Sequence, residues 1–194
     1  MGLLDALTGR HQVKGPAPDR LFAITTAYIT LQSEHQIAPA GTAAIVFQAL
    51  ATSEFEATIK DMEEVVRATG GESATQVATQ DDSYGYRWMV LRNPAGAPSV
   101  EDLAVGINAV SSSIETAGHG ERLLCSVFAF VDAQQQPIYF IYNYKRGFWY
   151  PFVPAAGDQQ RSTERELQLK AQLSGELPME PELERWFPLW GIPI

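Results

Sequence analysis

The chain has 194 residues, of which 45% are hydrophobic and 19% charged, so its length and composition fit one globular domain. Twenty-three acidic residues against fourteen basic ones give a net charge of -9, which repels phosphate backbones and predicts that nucleic acid is not a partner. The single cysteine, Cys125, excludes an internal disulfide. No apolar run approaches the roughly 18 to 20 residues that a membrane helix needs, and a cytoplasmic location is therefore expected.

Composition divides the chain into an arm, a domain and a tail. Residues 1–18 are predicted to form an N-terminal arm and linker, and the apolar side chains of the arm share one helical face: Leu3, Leu4 and Leu7. The domain is expected to span residues 19–175. Residues 176–194 are rich in proline and aromatic side chains, and we expect them to pack on the domain as an irregular tail.

Hydrophobic periodicity predicts the elements of the domain in chain order. Helices are predicted to begin near residues 19, 53, 99 and 162, and strands are predicted at 43–50, 74–79, 84–92, 122–131 and 138–146. Three of the helix starts carry a hydroxyl side chain followed three residues later by an acid, the spacing of a capping box. These pairs are Ser53 with Glu56, Ser99 with Asp102, and Thr163 with Glu166.

The short connections between neighbouring predicted strands favour hairpins, and hairpins make an antiparallel sheet. The expected fold is therefore α+β, with a single antiparallel sheet of about five strands and helices packed on one face. At the level of the fold alone, this order of elements resembles the small domains of type III secretion chaperones and of the YbjN group. Such a resemblance does not assign a function.

Residues with catalytic chemistry are sparse and scattered. His11, His35 and His119 form no metal-ligand spacing, and no glycine pattern predicts a phosphate-binding loop. Asp81 and Asp82 are adjacent carboxylates in a predicted turn, where they would suit an acid/base pair or a cation, although turns favour aspartate for local hydrogen bonding. No catalytic residue, cofactor or metal is predicted, and the protein is not expected to be an enzyme.

Aromatic residues are concentrated in two places. Eight of the twenty lie between Tyr139 and Phe152, and Trp186, Phe187 and Trp190 close the sequence. Such clusters either build a core or form a surface for a partner, and the sequence leaves both alternatives open. Two alternatives also stay open for Lys145 and Arg146. They could bind an acidic helix or a lipid phosphate, or they could precede a turn that folds the rings back onto the core.

Five blocks of the sequence carry a family resemblance: MGLLDALTGR, DSYGYRW, LLCSVFAF, YKRGFWYPF and ELERWFPLWG. With these blocks the chain resembles the PspA-associated protein PspAB family nearly end to end, departing in the turn DAQQQP and around residues 51–72. The resemblance implies a cytoplasmic, non-enzymatic accessory protein of the phage shock envelope stress response. PspA-type coiled coils bind the inner face of a damaged membrane, so the implied partner is a PspA-family coiled coil or a related regulator.

Two hypotheses follow from these observations. In the first, the protein binds its partner through aromatic and basic side chains, because Tyr, Trp and Arg anchor interfaces. The candidates are Trp88, Lys145, Arg146, Phe148, Trp149, Trp186 and Trp190, with Leu3, Leu4 and Leu7 of the arm as a further contact to the partner or, weakly, to the bilayer. In the second, a pocket beneath the aromatic cluster binds a small ligand or substrate, with Asp82, Tyr84, Arg87 or Arg146 as its polar groups.

Overall fold

The computed structural model describes residues 18–69, 75–82 and 84–194. The helices are α1 Pro18–Phe22, α2 Ile24–His35, α3 Ser53–Thr69, α4 Val100–Thr116 and α5 Thr163–Leu173. The strands are β1 Ala38–Gln48, β2 Gln76–Asp81, β3 Tyr86–Arg92, β4 Leu123–Val131, β5 Pro137–Asn143 and β6 Phe148–Phe152. Leu3, Leu4 and Leu7 of the predicted arm lie outside the described residues.

The six strands of the described chain form one antiparallel sheet in the order β2-β3-β1-β4-β5-β6. The predicted α+β class is confirmed, with one strand more than expected. The extra strand is β6, for which the sequence predicted no strand. The predicted strand 138–146 runs past the end of β5 into the turn, because the chain leaves β5 at Asn143 and turns at Gly147, whose φ of 68° suits glycine. Pro151 sits within β6, where its missing N–H is tolerated because β6 is an outer strand.

One face of the sheet packs against the helices. Alternate residues of each strand point to this face, so β1 contributes Ala43, Ile45 and Phe47. Helix α4 lies across them with an apolar face formed by Leu103, Ile107, Val110 and Ile114. The approach is close: a Cβ on Gly106 would come within 2.4 Å of Leu91 Cδ2 on β3. The prediction that the helices cover one face of the sheet is thus confirmed.

The opposite face of the sheet is covered by the C-terminal tail. Its strand residues are also apolar, and the tail supplies the side chains packed on them: Trp186, Leu189, Trp190, Ile192 and Ile194. Trp186 stacks on Tyr150 of β6 at 6.2 Å between ring centroids, and the Arg92 guanidinium of β3 donates to Pro193 O at 2.9 Å. The tail therefore crosses the sheet from β6 to β3, and it leaves β2 uncovered.

Of the three predicted helix caps, the structure shows one at the predicted residue. Ser99 caps α4 by accepting a hydrogen bond from Asp102 N at 3.1 Å, as predicted. At α3 the capping side chain is Thr52, one residue before the predicted Ser53, and it accepts from Phe55 N at 3.3 Å. At α5 the prediction is wrong, because Glu166 turns into the protein to bind Val153 N and Arg161.

Candidate partner-binding surfaces

Three of the predicted partner-binding tryptophans are core residues. Trp149 is 0% exposed, and Trp88 and Trp186 are 4% and 5% exposed. Trp149 packs against Phe128 and Tyr142 at 5.6 and 5.2 Å, and its indole Nε1 donates to Arg20 O at 2.7 Å. The expectation that these rings form an exterior surface is wrong for them, because both faces of the sheet are covered and alternate strand residues are buried on either side.

The remaining candidates of the 139–152 cluster meet at the turn between β5 and β6. The turn is fixed by Asn143, whose Oδ1 accepts from Lys145 N at 3.0 Å and whose O accepts from Gly147 N at 2.8 Å. It presents Lys145, which is exposed, together with the half-buried Arg146 and Phe148. We call the surface formed by Arg20, Lys145, Arg146 and Phe148 the turn patch.

Two guanidinium groups flank the ring of the turn patch. The Arg20 Cζ lies 5.1 Å from the Phe148 centroid and the Arg146 Cζ 6.0 Å from it, both within the range of a cation–π interaction. Arg20 also donates to Gly147 O at 3.2 Å, which joins α1 to the turn. Sequence reasoning missed Arg20, since it lies 127 residues before Gly147 and no local pattern links the two.

The three cations of the turn patch differ in whether they pair with a carboxylate. Arg146 donates to Glu180 Oε1 at 2.9 Å and to Glu182 Oε1 at 2.8 Å, and the hydrogen bond to the Glu180 carboxylate raises the pKa of Arg146. Arg20 and Lys145 form no ion pair with a residue that the structure describes. The patch therefore offers, beside a ring, two positive charges that no described carboxylate pairs with, on a protein of net charge -9.

A second surface, which we call the hairpin cleft, lies between the β2–β3 turn and the tail. Its volume is about 340 Å³, and its lining consists of Gln80, Asp81, Asp82, Tyr84, Trp88, Trp190, Gly191 and Pro193. It brings together two more of the predicted residues, Trp88 and Trp190, with Asp82 and Tyr84 of the small-ligand hypothesis. Arg87 and Arg146, the other polar groups of that hypothesis, do not line it.

The two adjacent carboxylates of the hairpin cleft both have structural partners. Asp82 Oδ1 accepts from Tyr84 N at 2.8 Å and Tyr86 N at 2.9 Å, and its Oδ2 accepts from Trp88 Nε1 at 2.9 Å. Asp81 binds Arg87 through both oxygens, at 2.6 and 3.0 Å, and this hydrogen bonding lowers the pKa of Asp81. These contacts are the local hydrogen bonds for which turns favour aspartate.

Ionic anchors join the tail to the domain, and sequence reasoning missed them. Glu166, 0% exposed, accepts from Arg161 and from Val153 N, while Arg161 Nη1 donates to Trp186 O at 2.6 Å. Glu180, also buried, holds Arg146. No sequence pattern distinguishes these glutamates from solvated ones, because their partners come from other elements.

Other reactive or polar groups are buried. Cys125 lies in the core, and burial raises the pKa of its thiol to about 12. The Tyr144 hydroxyl is within 2.7 Å of Ser126 Oγ.

Within residues 18–69, 75–82 and 84–194, no three His, Cys, Asp or Glu side chains are grouped so as to hold a metal ion. Across the same part of the chain, no helix has both the length and the apolar character required to span a bilayer.

Fold and surfaces together define an α+β protein whose tail covers the second face of its sheet from β6 to β3. The protein presents a basic aromatic turn and an acidic cleft. The family model for PspA associated protein B matches residues 1–194, the whole chain. The chain belongs to that family, and the resemblance carried by its motifs is confirmed. No curated protein and no solved structure matches the chain, so the likeness to type III secretion chaperones and the YbjN group stays a prediction.

Proposed function

We propose that this protein is a non-enzymatic accessory protein of a PspA-type envelope stress response, and that it binds a PspA-family coiled coil through the turn patch. The observation that carries the proposal is the pair of cations without a described carboxylate partner, Arg20 and Lys145, beside Phe148 in a chain whose family is described as PspA associated. Arginine and aromatic side chains are enriched where proteins bind one another.

The turn patch is suited to an acidic helical surface. Phe148 lies between two guanidinium groups, and the turn beneath it is fixed by Asn143 and by buried Trp149. The Phe148 side chain therefore has little conformational freedom to lose on binding. Coiled-coil helices carry rows of charged residues outside their apolar seam, and carboxylates in such a row would pair with Arg20 and Lys145. In this proposal the protein works in the cytoplasm and reaches the inner face of the membrane through its partner.

The test is binding of the purified protein to the PspA-family protein of the same genome, measured by isothermal titration calorimetry. Lys145→Glu should weaken binding about tenfold at low salt, because it places a carboxylate opposite the acidic helix. Lys60→Glu is the matched control, since Lys60 is also exposed, lies on α3 and changes the net charge by the same amount. Equal affinities for the two variants would refute the assignment of the turn patch.

A weak contact of the arm with the bilayer is a further part of the proposal. The spacing of Leu3, Leu4 and Leu7 would place them on one face of a helix, with Arg10, His11 and Lys14 after them in the sequence. So short an arm gives only marginal membrane affinity alone. Sedimentation with anionic liposomes should recover a small fraction of the full chain and less of a variant lacking residues 1–15. Equal sedimentation of the two would exclude the arm as the membrane contact.

A further inference from the structure

We infer that the outer edge of β2 and the hairpin cleft form one site for an extended, basic peptide segment of another protein, which adds to the sheet as a seventh strand. This site is separate from the turn patch, and it is assigned from three features of the described residues: a free strand edge, a cleft at the end of that edge, and an excess of carboxylates around both.

The free edge follows from the register of β2 and β3. Asp82 N donates to Tyr86 O at 2.9 Å, and the pairing continues from there through Gln80 with Trp88 to Gln76 with Arg92. In an antiparallel ladder, alternate residues direct both backbone groups toward the neighbour. The N–H and C=O groups of the intervening residues therefore point outward: Val77, Thr79 and Asp81. No described strand pairs with them, since β2 ends the order of the sheet.

The other edge of the sheet, at β6, is hydrogen-bonded to a further segment of the chain, whereas the edge at β2 is not bonded to any described segment. Trp149 N of β6 donates to Pro178 O at 2.9 Å, and Trp149 O accepts from Glu180 N at 2.7 Å. The segment after α5 thus occupies the place of a further strand beside β6. At β2, Gln76, Ala78 and Gln80 are exposed, and no described segment pairs with the outer edge. An open edge of this kind is where added strands bind in many peptide complexes.

The hairpin cleft lies at the C-terminal end of the free edge, because Gln80 and Asp81 belong to both. In a peptide paired along β2, every second side chain would lie on the face of the sheet that holds the cleft. The cleft volume of about 340 Å³ accepts one long side chain. Its accessible rings, Tyr84 at 70% exposure and the half-buried Trp190, suit the stem and the charge of arginine or lysine.

Charge selects a basic occupant. Four carboxylates surround the edge and the cleft, namely Glu56, Glu63, Asp81 and Asp82, against three arginines, namely Arg67, Arg87 and Arg92. Arg87 binds Asp81 and Glu56, Arg67 binds Glu63, and Arg92 donates to Pro193 O beside the cleft, so the surface keeps an excess of one negative charge. A second copy of this chain would bring the same carboxylates to the edge, and like charges across a strand pair are unfavourable.

The test uses a fluorescent heptapeptide of alternating valine and arginine, with a valine–glutamate peptide as its counterpart, and measures binding to the full chain by anisotropy. We expect the arginine peptide to bind and the glutamate peptide not to bind. Gln80→Lys, a change at an exposed position lining the cleft, should weaken binding about fivefold at low salt. Gln172→Lys is the control, with the same charge change at an exposed position of α5, outside the edge and the cleft, and should alter affinity less than about twofold.

Amide hydrogen exchange locates the peptide. Slower exchange at Val77, Thr79 and Asp81 on adding the arginine peptide supports strand addition at this edge. Equal effects of Gln80→Lys and Gln172→Lys, or protection confined to the turn patch, would overturn the inference. So would dimerisation of the free chain through β2, or binding that appears only after residues 1–17 are removed, since the edge would then belong to a second copy or to the arm of this chain.

Discussion

Replacing Glu166 by alanine should destabilise the protein far more than its position on an amphipathic helix suggests. The carboxylate is 0% exposed and joins three parts of the chain: α5, the backbone after β6 through Val153 N at 2.9 Å, and Arg161, whose Nη2 lies 2.7 Å from Oε2. Arg161 in turn donates to Trp186 O in the tail. Removal of Glu166 thus leaves a buried N–H without its acceptor and a largely buried guanidinium without its counter-charge.

The expected cost is about 3–5 kcal/mol, the range for removing one partner of a buried ion pair, and the unpaired N–H accounts for about 1–3 kcal/mol of it. For a chain of this length the melting temperature should fall by about 6 to 20 °C. Urea unfolding followed by tryptophan fluorescence measures the free energy of unfolding, with an unchanged m-value as evidence that the folded state is retained. Glu166→Gln keeps the shape and removes the charge, and should give an intermediate loss.

Glu164→Ala is the matched control, because Glu164 is exposed in the first turn of the same helix and should cost less than about 1 kcal/mol. A loss below about 1 kcal/mol for Glu166→Ala would refute the reasoning. It would mean that the Arg161 and Glu166 pair is not the connection that holds the tail on the sheet.

Three further predictions concern the core. Trp186→Ala should cost about 3–5 kcal/mol in urea unfolding, whereas Phe187→Ala, at a ring that is 57% exposed, should cost under about 1 kcal/mol; similar losses would contradict the burial of the tail. Gly106→Ala should destabilise by about 1–3 kcal/mol despite the helix preference of alanine, because the new methyl meets the leucine of β3, while Gly175→Ala, with open space around it, should stay within about 0.5 kcal/mol. Cys125, whose pKa rises from 9.0 to about 12, should react with iodoacetamide about a thousandfold more slowly in the native state than in guanidinium chloride, and rapid native alkylation would show that its strand is open.

The sequence was most informative where one side of an element faces water. Helix α4 has an apolar stripe, a capping serine and a glycine soon after its end, so its type and bounds followed from local rules. Strand β6 offered no such signal, since Trp149 enters the core under the helices while Tyr150 and Phe152 enter the core under the tail. A strand buried on both faces has no polar alternation to detect.

The candidate surfaces could be predicted only in part for a related reason. The residues of the turn Lys145–Phe148 were identified because basic and aromatic types are adjacent in sequence, but Arg20 joins them only through the tertiary structure. Burial of Trp149 and Trp186 could not be inferred, because aromatic density is equally typical of cores and interfaces. The hairpin cleft likewise needs the tail to cross the sheet, which no local pattern in residues 176–194 encodes.

The most direct test of the central claim is hydrogen exchange of this protein with and without the PspA-family coiled coil of the same genome. We expect a complex in which the amides of the β5–β6 turn and of α1 exchange more slowly, because Arg20, Lys145 and Phe148 are covered. Amides along α3, where the control Lys60 lies, should be unchanged. Absence of a complex would refute the turn patch as the binding surface. So would slower exchange along α3 with unchanged exchange in the β5–β6 turn.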